Sequence, residues 1–187
     1  MDLRRKLDGM RPWKRRLVWM TLTAMLTAAY FVLDRFLVLY PVPSVKVTFA
    51  FLAILAAAIW LGPVSAMLVG GLGDLLGSLL VAVGAPLPLL TVSAALEGLA
   101  LGFLLYEKRG VRRRWPERWI RLVGALLAVA LLLHLALNTY ALARLFSPDA
   151  VLPYMIAVLP LRAIKEACLL AVAIPAGAAL MKTASYK

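Results

Sequence analysis

Long apolar runs alternate along this chain with short breaks rich in proline, glycine or charge. The first run predicts a helix over about 15–39, apolar until Asp34 and Arg35 near its end. "YPVPSVKV" (40–47) follows, and its two closely spaced prolines predict an extended loop. A shorter apolar run predicts a second helix over about 48–61, and Gly62-Pro63 turns into a third over about 63–83. "GAPLP" (84–88) is a turn before a fourth helix at about 89–106. A basic stretch, 107–119, separates it from a fifth at about 120–145. "SPDAVLP" (147–153) is a loop, and the last helix covers about 154–182.

Runs of about twenty apolar residues without strict alternation point to membrane-spanning helices and not to a β-barrel. In lipid, a helix satisfies its own backbone hydrogen bonds. The expectation is an all-α integral membrane protein: a single domain over 1–187 with six transmembrane helices, preceded by a basic segment, 1–14. The second helix is too short to cross the hydrocarbon upright at about 1.5 Å per residue. Short helices beside irregular backbone mark binding sites in transport proteins.

Composition agrees. Of the 187 residues, 64% are hydrophobic, against about 45–50% in a soluble domain. The net charge of +12 would suggest nucleic acid in a soluble protein, but its distribution argues for membrane topology. Seven cations lie before the first helix or at its start (Arg4, Arg5, Lys6, Arg11, Lys14, Arg15, Arg16). Seven lie after the fourth (Lys108, Arg109, Arg112, Arg113, Arg114, Arg118, Arg121), and Lys182 and Lys187 end the chain. With six spans these segments share one side, which the positive-inside rule makes cytoplasmic. No nucleic-acid partner is expected; the surrounding bilayer and its anionic headgroups are. "RRRWPERW" reads as an interfacial segment with tryptophan anchors. The first run has no clean cleavage site and reads as a retained helix. The lone Cys168 allows no intrachain disulfide, and the lone His134 reads as an interhelical hydrogen-bonding residue, not a metal ligand.

Five cations escape the basic clusters: Arg35, Lys46, Arg144, Arg162 and Lys165. In "LPLRAIKE" (159–166), Arg162 and Lys165 share a helix face about two to three turns below the outer surface. A charge facing lipid there costs roughly 2.5–3.5 kcal/mol, so both should face the bundle interior. Glu166, one turn from Arg162, offers a local ion pair. The alternative is an anionic ligand, favoured by the excess of cations over acids in the outer half. Asp74 in "GGLGDLLG" (70–77) is either a structural partner for Arg162 or an acceptor for an amino-heterocycle. Gly73 and Gly77 suit close helix packing. Asn138 and Thr139 in "LALNTY" are candidates for ligand hydrogen bonds or interhelical bonds. Ala24 and Ala28 line one face of the first helix, either as an internal seam or as a dock for a membrane partner.

These residues together resemble the S-components of energy-coupling factor (ECF) vitamin transporters, most closely the folate-specific kind. The resemblance is carried by "PSVKVTFAFLAI" (43–54), "GPVSAMLVGGLGDLLG" (62–77), "TVSAALEGLALG" (91–102), "LALNTY" (135–140) and "LPLRAIKE", over roughly residues 17–182. It implies a substrate-binding subunit working with a transmembrane coupling protein and two ATPase subunits. That subunit topples in a prokaryotic cell membrane to carry its vitamin inward. The chain has no nucleotide-binding loop and is not expected to be an enzyme or to hold a cofactor.

Folate suits the charges, with two carboxylates and a flat pterin that both donates and accepts hydrogen bonds. Arg162 and Lys165 are the expected cationic ligands, and Asp74 and Asn138 candidates for the pterin edge. Lys46 and Arg35 would attract the anion at the mouth, and Phe49, Tyr40 and Tyr140 offer stacking surfaces. The loop at 40–47 would be a lid. Among other vitamins, cationic thiamin is disfavoured, riboflavin lacks a carboxylate, and pantothenate keeps one. A membrane scaffold or an intramembrane enzyme of another type is the alternative outside this class.

Overall fold

The computed structural model describes residues 10–42, 45–81, 88–107 and 114–184. In chain order the elements are α1 (Pro12–Arg35), β1 (Val38–Val42), β2 (Val45–Thr48), α2 (Phe51–Trp60), α3 (Pro63–Leu80) and α4 (Pro88–Leu105). There follow α5 (Trp115–Val129), a π-helical segment (Ala130–Leu137), α6 (Asn138–Phe146), a 3-10 turn (Pro148–Ala150) and α7 (Val151–Ala184). The run from Trp115 to Phe146 is one continuous helix of 32 residues, so the described residues build six helical rods. Four have the length and apolar character to cross a membrane: Pro12–Arg35, Pro63–Leu80, Pro88–Leu105 and Trp115–Phe146.

Three boundaries differ from the sequence expectation. The first helix stops at Arg35, not near 39, and 38–42 pairs with 45–48 in a two-stranded antiparallel hairpin where an irregular loop was expected. The sequence there, Val-Leu-Tyr-Pro-Val and Val-Lys-Val-Thr, is rich in β-branched residues. Each strand of a lone ribbon has a free edge, so Pro41 is tolerated. It falls in the register irregularity between Leu39 and Val42. The helix after the basic stretch starts at Trp115, not 120. Pro116 in its first turn needs no hydrogen-bond partner, and Glu117 faces the positive end of the helix dipole. The last helix starts at Val151, because the proline of "SPDA" begins a 3-10 turn leading directly into it. The expected turn at 84–88 lies almost wholly outside the described residues, as do 108–113 of the basic stretch.

Chain direction alternates between successive rods, so the ends of α1, α3 and α6 and the starts of α2, α4 and α7 gather at one end of the bundle. The hairpin sits at this end, with β2 packed against α7. The short α2 occupies the centre. Its residues from Ala53 to Ile59 are all buried, and it packs against α1, α3, α4 and α7. At about 1.5 Å per residue it spans only half of a hydrocarbon core about 30 Å thick. Its neighbours shield it from lipid along that length.

Backbone contact holds α3 to α4. A Cβ at Gly70 would meet the carbonyl of Ala94, one at Gly98 the carbonyl of Ala66, and one at Gly102 the backbone of Pro63. Gly73 and Gly77 pack α3 against α1 instead, with Tyr30 and Arg35 filling the space that side chains there would take. Small residues serve the role expected in lipid, where close van der Waals approach replaces the hydrophobic drive.

Candidate functional site

Charged side chains gather in two groups toward the hairpin end. The first ties the hairpin to the bundle. Buried Asp34, at the end of α1, accepts a 2.7 Å hydrogen bond from Lys46 of β2 and lies 3.3 Å from Arg35 Nε. Arg35 also reaches Asp74 of α3 at 4.0 Å, and Asp74 accepts a 2.6 Å bond from Thr91 of α4. Asp74 therefore partners Arg35 and Thr91; of its two alternatives, the pairing with Arg162 is not made. Lys46 and Arg35, expected at the mouth to draw in an anion, are both held by Asp34.

The second group joins α4, the π-helical segment, α6 and α7. His134 Nε2 lies 3.2 Å from Glu97 and Nδ1 lies 3.0 Å from Glu166. The other oxygen of Glu166 accepts from Lys165 at 2.6 Å. Arg162, only 9% exposed, donates to Thr139 Oγ1 at 3.1 Å. Thr139 in turn donates to the His134 carbonyl at 3.4 Å, a backbone acceptor five residues back. The i→i+5 bonding of a π-helix is frequent at functional positions. The Arg162–Glu166 ion pair is not formed, because both oxygens of Glu166 are already engaged.

The expected surplus of cations thus narrows to one interior residue. Arg35, Lys46 and Lys165 each have a carboxylate within 4.0 Å. Among the described residues Arg162 has none, and its Nε has no hydrogen-bond partner at all. Asn138 Oδ1 is likewise buried and unpartnered. Asn138 precedes Thr139, the residue that Arg162 bonds. Arg35 Nε is the third such atom among the described residues, although an Asp34 oxygen lies 3.3 Å from it. Buried polar groups are seldom left so.

The aromatic candidates separate. Phe49 is half-buried between β2 and α2. Tyr140 is 40% exposed, accepts a 3.0 Å bond from Arg144 Nε and has that guanidinium over its ring. Tyr40 lies in β1, and its side chain is outside the described residues. On α1, buried Thr23, Thr27, Tyr30 and Asp34 form the inward face, with Thr23 Oγ1 3.2 Å from Ser65 Oγ of α3. Ala24 and Ala28 lie off that face and are exposed.

A cavity of about 40 Å³ lies beside the second group, lined by Glu97, His134 and Glu166 with Phe51, Leu55 and Leu101 among its apolar walls. It has room for a water molecule or two, far below the roughly 300–1,000 Å³ of a small-molecule site.

Three features escaped the sequence reading. Asp34 emerges as the hub of the first group, Thr91 as the partner of Asp74, and residues 130–137 as π-helical. The Asp34–Lys46 spacing across a proline-rich link was a signal for the first, had a hairpin been foreseen.

A search of curated proteins finds no match to this sequence. Among solved structures, the chain is similar to the crystal structure of FolT bound with folic acid, with a TM-score of 0.72 and 24% sequence identity, covering 90% of this chain and 93% of that one. This likeness establishes the fold. A family model described as ECF-type riboflavin transporter, S component, matches residues 16–181. The match runs through α1 to α7 and takes in both charged groups, and the chain accordingly belongs to this family of ECF transporter S-components.

Proposed function

We propose that this S-component binds folate and delivers it to the cytoplasm. The observation that carries the reading is Arg162: a buried guanidinium without a carboxylate among the described residues, bonded to Thr139, whose chain neighbour Asn138 has an unpartnered Oδ1. An anionic ligand that also donates hydrogen bonds satisfies both, and Arg grips planar acceptors with two parallel bonds. Folate has such groups at both ends, and the solved relative of the same fold carries folic acid. Lys165 adds a second cation on the same helix face. Asp74, Phe49, Tyr40 and Tyr140 remain secondary candidates for the pterin. Lys46 and Arg35 act through the hairpin.

Riboflavin is the second reading, favoured by the description of the matching family. Melting in detergent separates the two, since a ligand that binds only the folded state raises the melting temperature. Folate is expected to raise it, whereas riboflavin and pantothenate leave it unchanged. A shift with riboflavin alone reverses the assignment.

In this proposal six rods span a prokaryotic plasma membrane with both termini cytoplasmic, and the hairpin end faces outward. The hairpin covers the ligand, held down by the Lys46–Asp34 pair. Amide hydrogen exchange in 45–50 is expected to slow several-fold when folate is added. Equal rates with and without folate would remove the lid.

A transmembrane coupling protein and two ATPase subunits complete the transporter, and the exposed strip at Ala24 and Ala28 docks the coupling protein. Tryptophan at either position overfills a close-packed seam, which typically costs about 1–3 kcal/mol. Ala24→Trp and Ala28→Trp are expected to lose co-purification with the coupling module and keep folate affinity, because both face away from the charged groups. Loss of folate binding with assembly intact places the partner elsewhere.

A further inference from the structure

Glu166 stands where two demands meet. One oxygen holds the Lys165 ammonium at 2.6 Å, and the other meets His134 Nδ1 at 3.0 Å. The far side of the same imidazole meets Glu97 at 3.2 Å. Glu166 is buried, and a buried carboxylate that loses its only cation pays a large desolvation cost. This carboxylate has a second partner, fixed from α4 by Glu97, so it can release Lys165 without being stranded. One helical turn before it, Arg162 has no acidic partner among the described residues, and its Nε is unpartnered.

The geometry points to Glu166 as an internal competitor for Lys165, with His134 and Glu97 as positioning residues that set how tightly it competes. The inference rests on the reading that Lys165 meets an anionic ligand. An arriving anionic group takes the ammonium from Glu166, and Glu166 stays bonded to His134. The bridge thereby sets the affinity for anions over neutral ligands of similar shape, without touching the ligand. It also gives the π-helical segment a purpose: it carries His134, which is joined to acids of both α4 and α7.

The sign pattern is the test. Folate affinity is measured for the wild type, Glu166→Gln, His134→Gln, Glu97→Gln and the double variant His134→Gln/Glu166→Gln. Glu166→Gln frees Lys165 and tightens folate binding by about tenfold, the worth of one charge-assisted hydrogen bond. His134→Gln leaves Glu166 more dependent on Lys165 and weakens binding, and Glu97→Gln does so to a smaller degree. The double variant matches Glu166→Gln alone, because His134 acts only through Glu166; a merely structural histidine adds its own loss. If Glu166→Gln does not fold, the ordered losses in His134→Gln and Glu97→Gln carry the test. Uniform loss in all variants, or a gain in His134→Gln, overturns the inference. A second readout needs no ligand: labelling of Lys165 by an amine-acylating reagent, mapped by mass spectrometry. It is faster in Glu166→Gln and slower in His134→Gln. That labelling pattern without folate binding to any variant overturns the folate reading and keeps the hold of Glu166 on Lys165. Unchanged labelling across all variants overturns the hold itself.

Discussion

Replacing Arg162 with methionine is expected to lower folate affinity by roughly ten- to a hundredfold while leaving the protein without folate as stable as before, or more so. The first half follows from the loss of a charge-assisted contact, on the order of 1.5–3 kcal/mol. The second follows from the pairing at the site. Arg162 is buried, has no carboxylate within reach among the described residues, and leaves its Nε without a partner. Burying an unpaired cation opposes folding, and an apolar side chain of similar length removes that penalty. A residue retained only for packing behaves in the opposite way, losing stability and leaving binding alone. Isothermal titration and detergent melting on Arg162→Met separate the cases, with Lys165→Ala as the companion. Unchanged folate affinity in both variants sinks the ligand role of this helix face. Arg162→Lys falls in between, since it keeps the charge but not the two-pronged geometry.

Gly98→Val is expected to prevent recovery of a folded protein, or to lower its stability by about 3 kcal/mol or more, at or above the upper end of ordinary overpacking. A Cβ at position 98 meets the Ala66 carbonyl and comes within 2.8 Å of Met67 N. Backbone cannot swing aside as a long side chain does. Gly70 and Gly102 repeat the arrangement on the same seam, so relief at one point jams the others. Gly124 on α5 is the internal control. It is exposed, nothing lies within 4 Å of an added Cβ, and Gly124→Ala should gain up to about 1 kcal/mol from helix propensity. Equal melting temperatures for Gly98→Val and Gly124→Ala would contradict the close α3–α4 contact.

The helical class and most of the helix positions were legible in the chain itself. Apolar runs of membrane length admit helices, and prolines and glycines punctuate them where backbone hydrogen bonding must stop. The charged residues that matter were legible for a related reason: in an apolar run each is costly, so each draws notice. Arg162, Lys165, Glu166 and Asp74 were all singled out in this way, and His134 as the lone histidine. Their partners were not legible. Whether Glu166 turns to Arg162 or to Lys165 and His134 depends on which helix lies beside it, and i, i+4 spacing describes only a helix in isolation. The hairpin was missed because two prolines read as breakage, while the ribbon is fixed by Lys46 reaching Asp34. The π-helical turn left no mark in the sequence, since its residues are ordinary helix formers. What the sequence determined by itself was the solvent each segment prefers and the price of each exception. Which exceptions satisfy one another, and that Arg162 is left over, was decided only when six rods packed, because pairing is set by distances across the bundle.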